Sequence, residues 1–279
     1  MLIWEVLKAL LQGVVQGITE WLPISSTGHL ILVERFLPFS LSEEFFKLFE
    51  VLIQLGSILA VVVVFFNKLN PFSKQKTLAE RNDTWRLWLM VVIASIPTAI
   101  MGLAFKVFKV DDVMETPWVI TAALIIYGIL FIVMESCKKN PRFHTPNDVG
   151  WKTAFFIGCF QTLALIPGTS RSGSTILGAL LLGCSRYAAA EFSFFMAIPA
   201  MAGASAIKAL GFFSYVSEMN VDVPAIAWAV LAVGAAVAFV VSMVSIKFLT
   251  DFVKKHSFIP FGVYRIILGA ALIVWFIVK

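Results

Sequence analysis

WLPISSTGH at residues 21–29 and LIPGTSRSGST at residues 165–175 decide how this chain is read, because each sets proline, glycine and a run of hydroxyl side chains inside an apolar stretch. Two segments, about 2–36 and 152–183, are thereby broken near their middles. The arm at 153–166 is about 14 residues, or ~21 Å at 1.5 Å per residue, which is short for a ~30 Å hydrocarbon crossing. Both segments read as re-entrant helical hairpins. Setting residue n against n+145 pairs Gly13 with Gly158, Gln16 with Gln161, Ser25 with Ser170, Gly28 with Gly173, Ile31 with Ile176 and Leu32 with Leu177. Such matching at a fixed offset indicates an internal repeat.

Outward from the breaks, apolar runs recur at about 44–66, 85–107, 118–136, 188–210, 224–247 and 258–278, each close to the ~20 residues that span a bilayer as a helix. A hydrophobic content of 59%, 14% charged residues and a mean hydropathy of +0.90 make lipid the solvent for most of the chain. The expected fold is an all-α polytopic membrane protein, one integral domain over 1–279 with six transmembrane helices and two hairpins. Three spans follow each hairpin. Because three is odd, the second half (145–279) enters the membrane from the opposite face to the first (1–140), which is an inverted-topology repeat.

The charges carry an independent expectation. The loops at 67–86, 137–152, 183–187 and 247–257 hold thirteen basic residues, including Lys68, Lys74, Lys76, Arg142, Arg186, Lys254 and Lys255, against seven on the other face (Lys8, Arg35, Lys47, Lys106, Lys109, Lys208 and Lys279). The positive-inside rule makes the first set cytoplasmic, so both termini are expected outside. The net charge of +5 is explained by these loops and not by nucleic acid. The N-terminus carries Glu5 and Lys8 where a removable signal would be basic, and Gln12, Gln16 and Glu20 interrupt its apolar stretch, so it is read as retained. Cys137, Cys159 and Cys184 lack metal-site or disulfide spacing and read as small buried hydrophobes.

Gln12, Gln16 and Glu20 recur every four residues and share one helical face leading to Ser25, Ser26, Thr27 and His29. A carboxylate at that depth must face protein or water. After Pro23, Ser25 or Ser26 caps the next helix, whose unpaired N–H groups favour phosphate. The second turn repeats the pattern with Ser170, Ser172 and Thr175 and adds Arg171, whose planar guanidinium matches phosphate oxygens bidentately. Hairpins entering from opposite faces bring these groups to one cavity near the midplane. Glu50, Gln54 and Glu191 are candidates to line it, with helix packing as the alternative role; His29 reads equally as acid–base or structural. Soluble phosphate-binding and clustered metal motifs are absent from the sequence. These features indicate anion handling in a membrane and leave hydrolysis and transport both open.

QGITEWLPISSTGH (16–29) resembles the (E/Q)xxxE-plus-SSTGH signature of the undecaprenyl-diphosphate phosphatase family, associated with bacitracin resistance. PGTSRSGST is similar to its PGxSRSxxT signature, and FEVLIQLGSILAV and SRYAAAEFSFFMAIP also resemble family segments. The resemblance implies hydrolysis of a C55 polyprenyl diphosphate to the carrier monophosphate at the outer face of a bacterial cytoplasmic membrane. It also implies assistance from a divalent cation, Mg2+ or Ca2+. By position it makes Ser26 the proposed nucleophile and His29 the histidine discussed as catalytic, with Glu20 or His29 as base; the rival is a water activated by Glu20 or by a metal, with Ser26 only binding phosphate. Gln16 and Glu20 fill the (E/Q)xxxE pair, with Glu20 alone as the acidic metal ligand, and Ser170, Arg171 and Ser172 form the phosphate-binding turn. The type-2 phosphatidic acid phosphatases are excluded, because their second histidine would fall at Leu177. The alternative function is a polyprenyl-phosphate flippase. Oligomeric state stays open, a homodimer included.

Overall fold

The computed structural model describes residues 2–108, 114, 116–137, 140–219 and 223–278. Several charges used to assign the faces, Lys109, Lys138, Lys139 and Lys279 among them, lie outside the described residues. So does most of the loop at 108–117. Helices α1 (Leu2–Thr19) and α2 (Ser26–Phe36) flank the first break, followed by α3 (Glu43–Val64), the short α4 (Phe66–Leu69), α5 (Leu78–Phe108) and α6 (Pro117–Ser136). Helices α7 (Trp151–Thr162) and α8 (Arg171–Leu181) flank the second break, and α9 (Arg186–Met219), α10 (Ala225–Lys255) and α11 (Ile259–Val278) complete the chain. No strand forms among the described residues; one isolated bridge joins Phe143 to Cys184.

Six helices, α3, α5, α6, α9, α10 and α11, are long and apolar enough to cross a membrane, which makes this a multi-pass membrane protein. Three of them outrun the apolar runs that signalled them: α5 has 31 residues, α9 34 and α10 31. A helix propagates wherever its backbone stays paired, and water-facing ends need only polar caps. At the start of α5 the Thr77 N–H and hydroxyl donate to Glu80 at 2.7 and 2.9 Å. The solvent contrast is inverted relative to a soluble fold: Leu210, Val244 and Ile267 are exposed, whereas Gln12, Gln16, Gln161 and Arg265 are fully buried. Lipid receives the first group and only neighbouring protein can receive the second.

Packing follows a crossed pattern. Helix α1 lies on α10 and α7 on α5, α3 contacts α9, and α6 contacts α11. The polar face of α1 is matched within its own neighbourhood: Glu5 accepts from Lys8 at 2.9 Å and from the Ser40 N–H at 3.1 Å, and Gln12 donates to Glu34 at 3.2 Å. The loop before α7 is held by Asp148, which accepts from the Thr145 and His144 N–H groups; the Thr145 bond foremost keeps its carboxyl below the usual range. Of the three unpaired cysteines, Cys184 is buried and its thiol is pushed up to about 12, as suits an inert hydrophobe. Cys137 is exposed, contrary to expectation, because it stands at the C-cap of α6, where the chain leaves the helix.

Close approach on the crossed pairs requires glycine. A Cβ on Gly13 would stand 2.6 Å from the Gly234 carbonyl oxygen, and one on Gly158 would overlap the Ala94 backbone. Gly158→Ala is therefore expected to destabilise the protein by roughly 1–3 kcal/mol through overpacking. Gly211→Ala, where an added Cβ meets nothing within 4 Å, is the control. Thermal unfolding in detergent checks the pair: equal Tm values for the two variants would show that α5 and α7 are not in backbone contact.

Candidate active site

Both breaks fold in the same way. Pro23 and Pro167 cannot continue the preceding helix, and the chain then turns through Ser25 and Ser170, which adopt φ of 75° and 74°. Such values cost a side-chain-bearing residue on the order of 1–3 kcal/mol. Each serine offsets the strain as an N-cap, the Ser25 hydroxyl accepting from Gly28 N–H at 3.4 Å and the Ser170 hydroxyl from Gly173 N–H at 3.1 Å. The first N–H groups of α2 and α8, at Ser26, Thr27, Arg171 and Ser172, have no carbonyl partner within their own helices. The positive ends of two helix dipoles therefore open at the breaks.

The two turns are bound to one another. The Ser172 hydroxyl lies 3.1 Å from the Glu20 carbonyl and 3.3 Å from that of Leu22. Glu20, almost fully buried, is the meeting point of the side chains. Its Oε2 accepts from the Ser26 hydroxyl at 2.7 Å and from the Gln16 amide at 3.0 Å, and its Oε1 accepts from Arg171 Nη2 at 3.1 Å. Arg171 also donates through Nη1 to the Ser193 carbonyl at 2.9 Å and lies over the Trp21 ring. Two of its five N–H donors are thus committed, and its Nε is buried without a partner.

A cavity of about 200 Å³ at this point is lined by Glu20, Ser25, Ser26, Thr27, Gln54, Ser170, Arg171 and residues 164–168, with Met201. Other sequence candidates fall elsewhere. The Thr175 hydroxyl is fully buried behind the turn, bonded to the Arg171 carbonyl at 2.9 Å and to the Ser193 hydroxyl. Glu50 is half-buried on α3, outside the lining. Glu191 is away from the cavity, accepting from Lys68 at 2.7 Å and from Tyr187. His29 turns from Glu20: its Nδ1 lies 2.7 Å from the Ser25 carbonyl and its Nε2 2.7 Å from the Tyr264 hydroxyl. A carbonyl can only accept, so Nδ1 carries the proton.

The chain matches the family model described as bacitracin resistance protein BacA over residues 9–271. It is 52% identical over 272 residues to undecaprenyl-diphosphatase 1 of Clostridioides difficile strain 630, covering 98% of this chain and 96% of that one. Undecaprenyl-diphosphatases of Lactiplantibacillus plantarum and Limosilactobacillus fermentum are each 52% identical over 275 residues, covering 98% of both chains. The chain belongs to the BacA family.

Two further features of this BacA family member were not legible in its sequence. Arg265 of α11, fully buried, reaches both turns, donating to the Pro23 carbonyl at 3.0 Å and to those of Gly168 and Thr169 at 2.9 and 3.0 Å. It sits alone in an apolar run, with no motif to mark it; the cost of an unpaired arginine at that depth was the available signal. A cleft of about 680 Å³ between α3, α5 and α9 adjoins the cavity through Leu165, which lines both. Leu48, Leu103, Ile207 and Phe212 make it apolar, Gly102 and Gly203 keep it open, and Lys47, Lys106 and Lys208 also border it.

No cluster of three acidic, histidine or cysteine side chains forms among the described residues. One observation suits a hard cation nonetheless: Gln16 Oε1 is buried without a partner beside Glu20, giving an amide oxygen and a carboxylate of the kind Mg2+ or Ca2+ takes. The turn-to-turn bonds generate a prediction of their own. Ser172→Ala leaves the Glu20 and Leu22 carbonyls short of a donor and should lower stability by about 1–3 kcal/mol. Chemical denaturation in detergent checks it; an unchanged midpoint would mean that the turns are held together without Ser172.

Proposed function

We propose that this protein hydrolyses a polyprenyl diphosphate, undecaprenyl diphosphate by the names of its relatives, to the lipid monophosphate and inorganic phosphate. Regenerating the monophosphate carrier would serve cell-wall synthesis and oppose bacitracin. The observation that carries the reading is the Ser26 hydroxyl at 2.7 Å from a buried Glu20 carboxylate that also engages Arg171. That is hydrogen-bond reach for a nucleophile and its base. It lies where two helix N-termini open, as a phosphate requires.

In this mechanism Ser26 Oγ attacks the terminal phosphorus while its proton passes to Glu20 Oε2. The bridging P–O bond breaks and the lipid monophosphate leaves with the proton from Glu20; a water then gives a proton to the freed Glu20 carboxylate as it attacks the phosphoserine, releasing inorganic phosphate and returning that proton to Ser26. Arg171, the hydroxyls of Ser25, Thr27 and Ser170 and the N-terminal N–H groups of α2 and α8 stabilise the non-bridging oxygens, where most of the catalytic effect in phosphoryl transfer arises. The Ser172 hydroxyl serves the turn. Gln16 and Glu20 would hold a divalent cation, which supplies charge neutralisation on the diphosphate. His29, committed to Ser25 and Tyr264, acts as an orienting residue and leaves Glu20 as the base. The apolar cleft takes the first isoprene units, and its lysines suit a headgroup approaching from the outer face.

The crossed packing supports two inverted repeats, 1–140 and 145–279, with α1–α2 and α7–α8 as re-entrant hairpins. Exchanging the halves exchanges α1 on α10 with α7 on α5 and leaves the α3–α9 and α6–α11 pairs in place. The hairpin arms, at 18, 11, 12 and 11 residues, are at most ~27 Å long. The same architecture suits transport and keeps a lipid flippase as the second reading. In this topology the site opens to the extracytoplasmic side and both termini lie there.

Phosphate release from undecaprenyl diphosphate in detergent separates the two readings, since hydrolysis needs no sealed compartment and flipping needs two. Ser26→Ala is expected to abolish turnover and leave substrate binding largely intact. Arg171→Lys should lose ~2.7–4 kcal/mol of transition-state stabilisation, a hundredfold or more, because lysine has no planar fork. Retention of about a tenth of turnover by Ser26→Ala, a loss of only ~1.4 kcal/mol, would transfer the attack to a Glu20-activated water. For topology, cysteines introduced near residues 75 and 141 should resist membrane-impermeant reagents in intact cells; labelling there would invert the assignment.

A further inference from the structure

Arg265 combines two properties that neither catalysis by Glu20 and Ser26 nor helix packing uses. It is a permanent cation with no exposed surface, and among the described residues no acidic side chain pairs with it. Its partners are neutral: the carbonyls of Pro23 (3.0 Å), Gly168 (2.9 Å) and Thr169 (3.0 Å), with longer bonds to Leu124 (3.3 Å) and Ala123 (3.4 Å) and the Tyr127 ring beneath it. The first three carbonyls belong to the two turns that carry the cavity, one from the first break and two from the second. A guanidinium is the side chain able to serve them together, because its donors diverge in one plane; an ammonium is a point charge. Its Nη1 lies close behind the phosphate-binding turn, 3.2 Å from where a Cβ on Gly173 would stand. A buried charge compensated only by dipoles leaves a positive potential at its surroundings, and here those surroundings are the cavity wall.

We propose that Arg265 is a positioning residue of the active site: it fixes the Pro23 and Gly168–Thr169 turns relative to one another, and its uncompensated charge finds its counter-anion in the bound diphosphate. The proposal rests on the diphosphate-hydrolase reading. It assigns Arg265 two separable effects, geometry and charge, and lysine separates them by keeping the charge without the fork.

The test compares the full-length protein with Arg265→Lys and Arg265→Gln in detergent, reading kcat and KM with undecaprenyl diphosphate and the affinity for inorganic pyrophosphate by calorimetry. Arg265→Lys is expected to lower kcat about tenfold or more while KM and pyrophosphate affinity stay within about threefold, and Arg265→Gln to weaken pyrophosphate binding about tenfold as well. A helix-packing role alone would lower the Tm of both variants and leave these constants unchanged in the folded fraction; that result overturns the proposal. If Arg265→Gln does not fold, Arg265→Lys decides alone, with a kcat loss under tenfold counting against positioning. Should the parent release no phosphate, the hydrolase reading fails. Pyrophosphate affinity that is equal in all the folded proteins then removes the charge role, and affinity that falls when the charge is removed upholds it.

Discussion

A helix that breaks while buried among other helices has no water to satisfy its exposed carbonyls and N–H groups, and the rest of this structure depends on that constraint. Two breaks solve it jointly. Ser25 and Ser170 take one N–H each from the helix they precede, Ser172 shares its one hydroxyl proton between two carbonyls of the opposite turn, and Arg265 covers one carbonyl of the first turn and two of the second. What is left unpaired is a set of N–H groups at the starts of α2 and α8, where Ser26, Thr27 and Arg171 line one cavity. The same deficit that threatens the fold makes the site attractive to an anion.

Charge is distributed to the same end. Among the described residues Glu20 is the only acidic side chain lining the cavity, while Arg171 lines it and Arg265 stands behind it. In a low-dielectric setting an imbalance of this sort is costly unless a ligand completes it. On the proposed function a diphosphate lipid would do so with its headgroup, its tail entering the adjoining apolar cleft. Ser26 is then proposed as the nucleophile because its hydroxyl is bonded to the carboxylate, not because of its motif alone.

The matched positions of the two segments keep one role and lose another. Ser25 and Ser170 do the same work at nearly the same φ, and Gly13 and Gly158 both allow a close approach to a partner backbone. Gln16 and Gln161 have parted: the first serves Glu20, whereas the second donates to Thr98 at 2.9 Å. On the proposed duplication, the capping and packing that hold a broken helix in the membrane were retained, and the chemistry was concentrated in one half. Glu191, buried, pairs instead with the half-exposed Lys68, so an acid near the start of α9 has an ion-pair partner of its own where symmetry alone suggested a site.

Hydropathy determined the six spans, because transfer to lipid depends on composition over about twenty residues and not on neighbours. The proline, glycine and serine punctuation determined where the other helices break, because those preferences are local backbone properties. The Gln16–Glu20 face and the two hydroxyl-rich turns were likewise legible, since helical spacing puts such residues on one side. Tertiary structure alone decided which of the candidates meet. Thr175 and Glu191 are taken by partners of their own, His29 is drawn to Tyr264 by a bond across 235 positions, and Arg265 arrives from the last helix to join turns 97 and 242 residues away. Sequence spacing carries no information about contacts between helices that distant, because they are set by how the bundle packs.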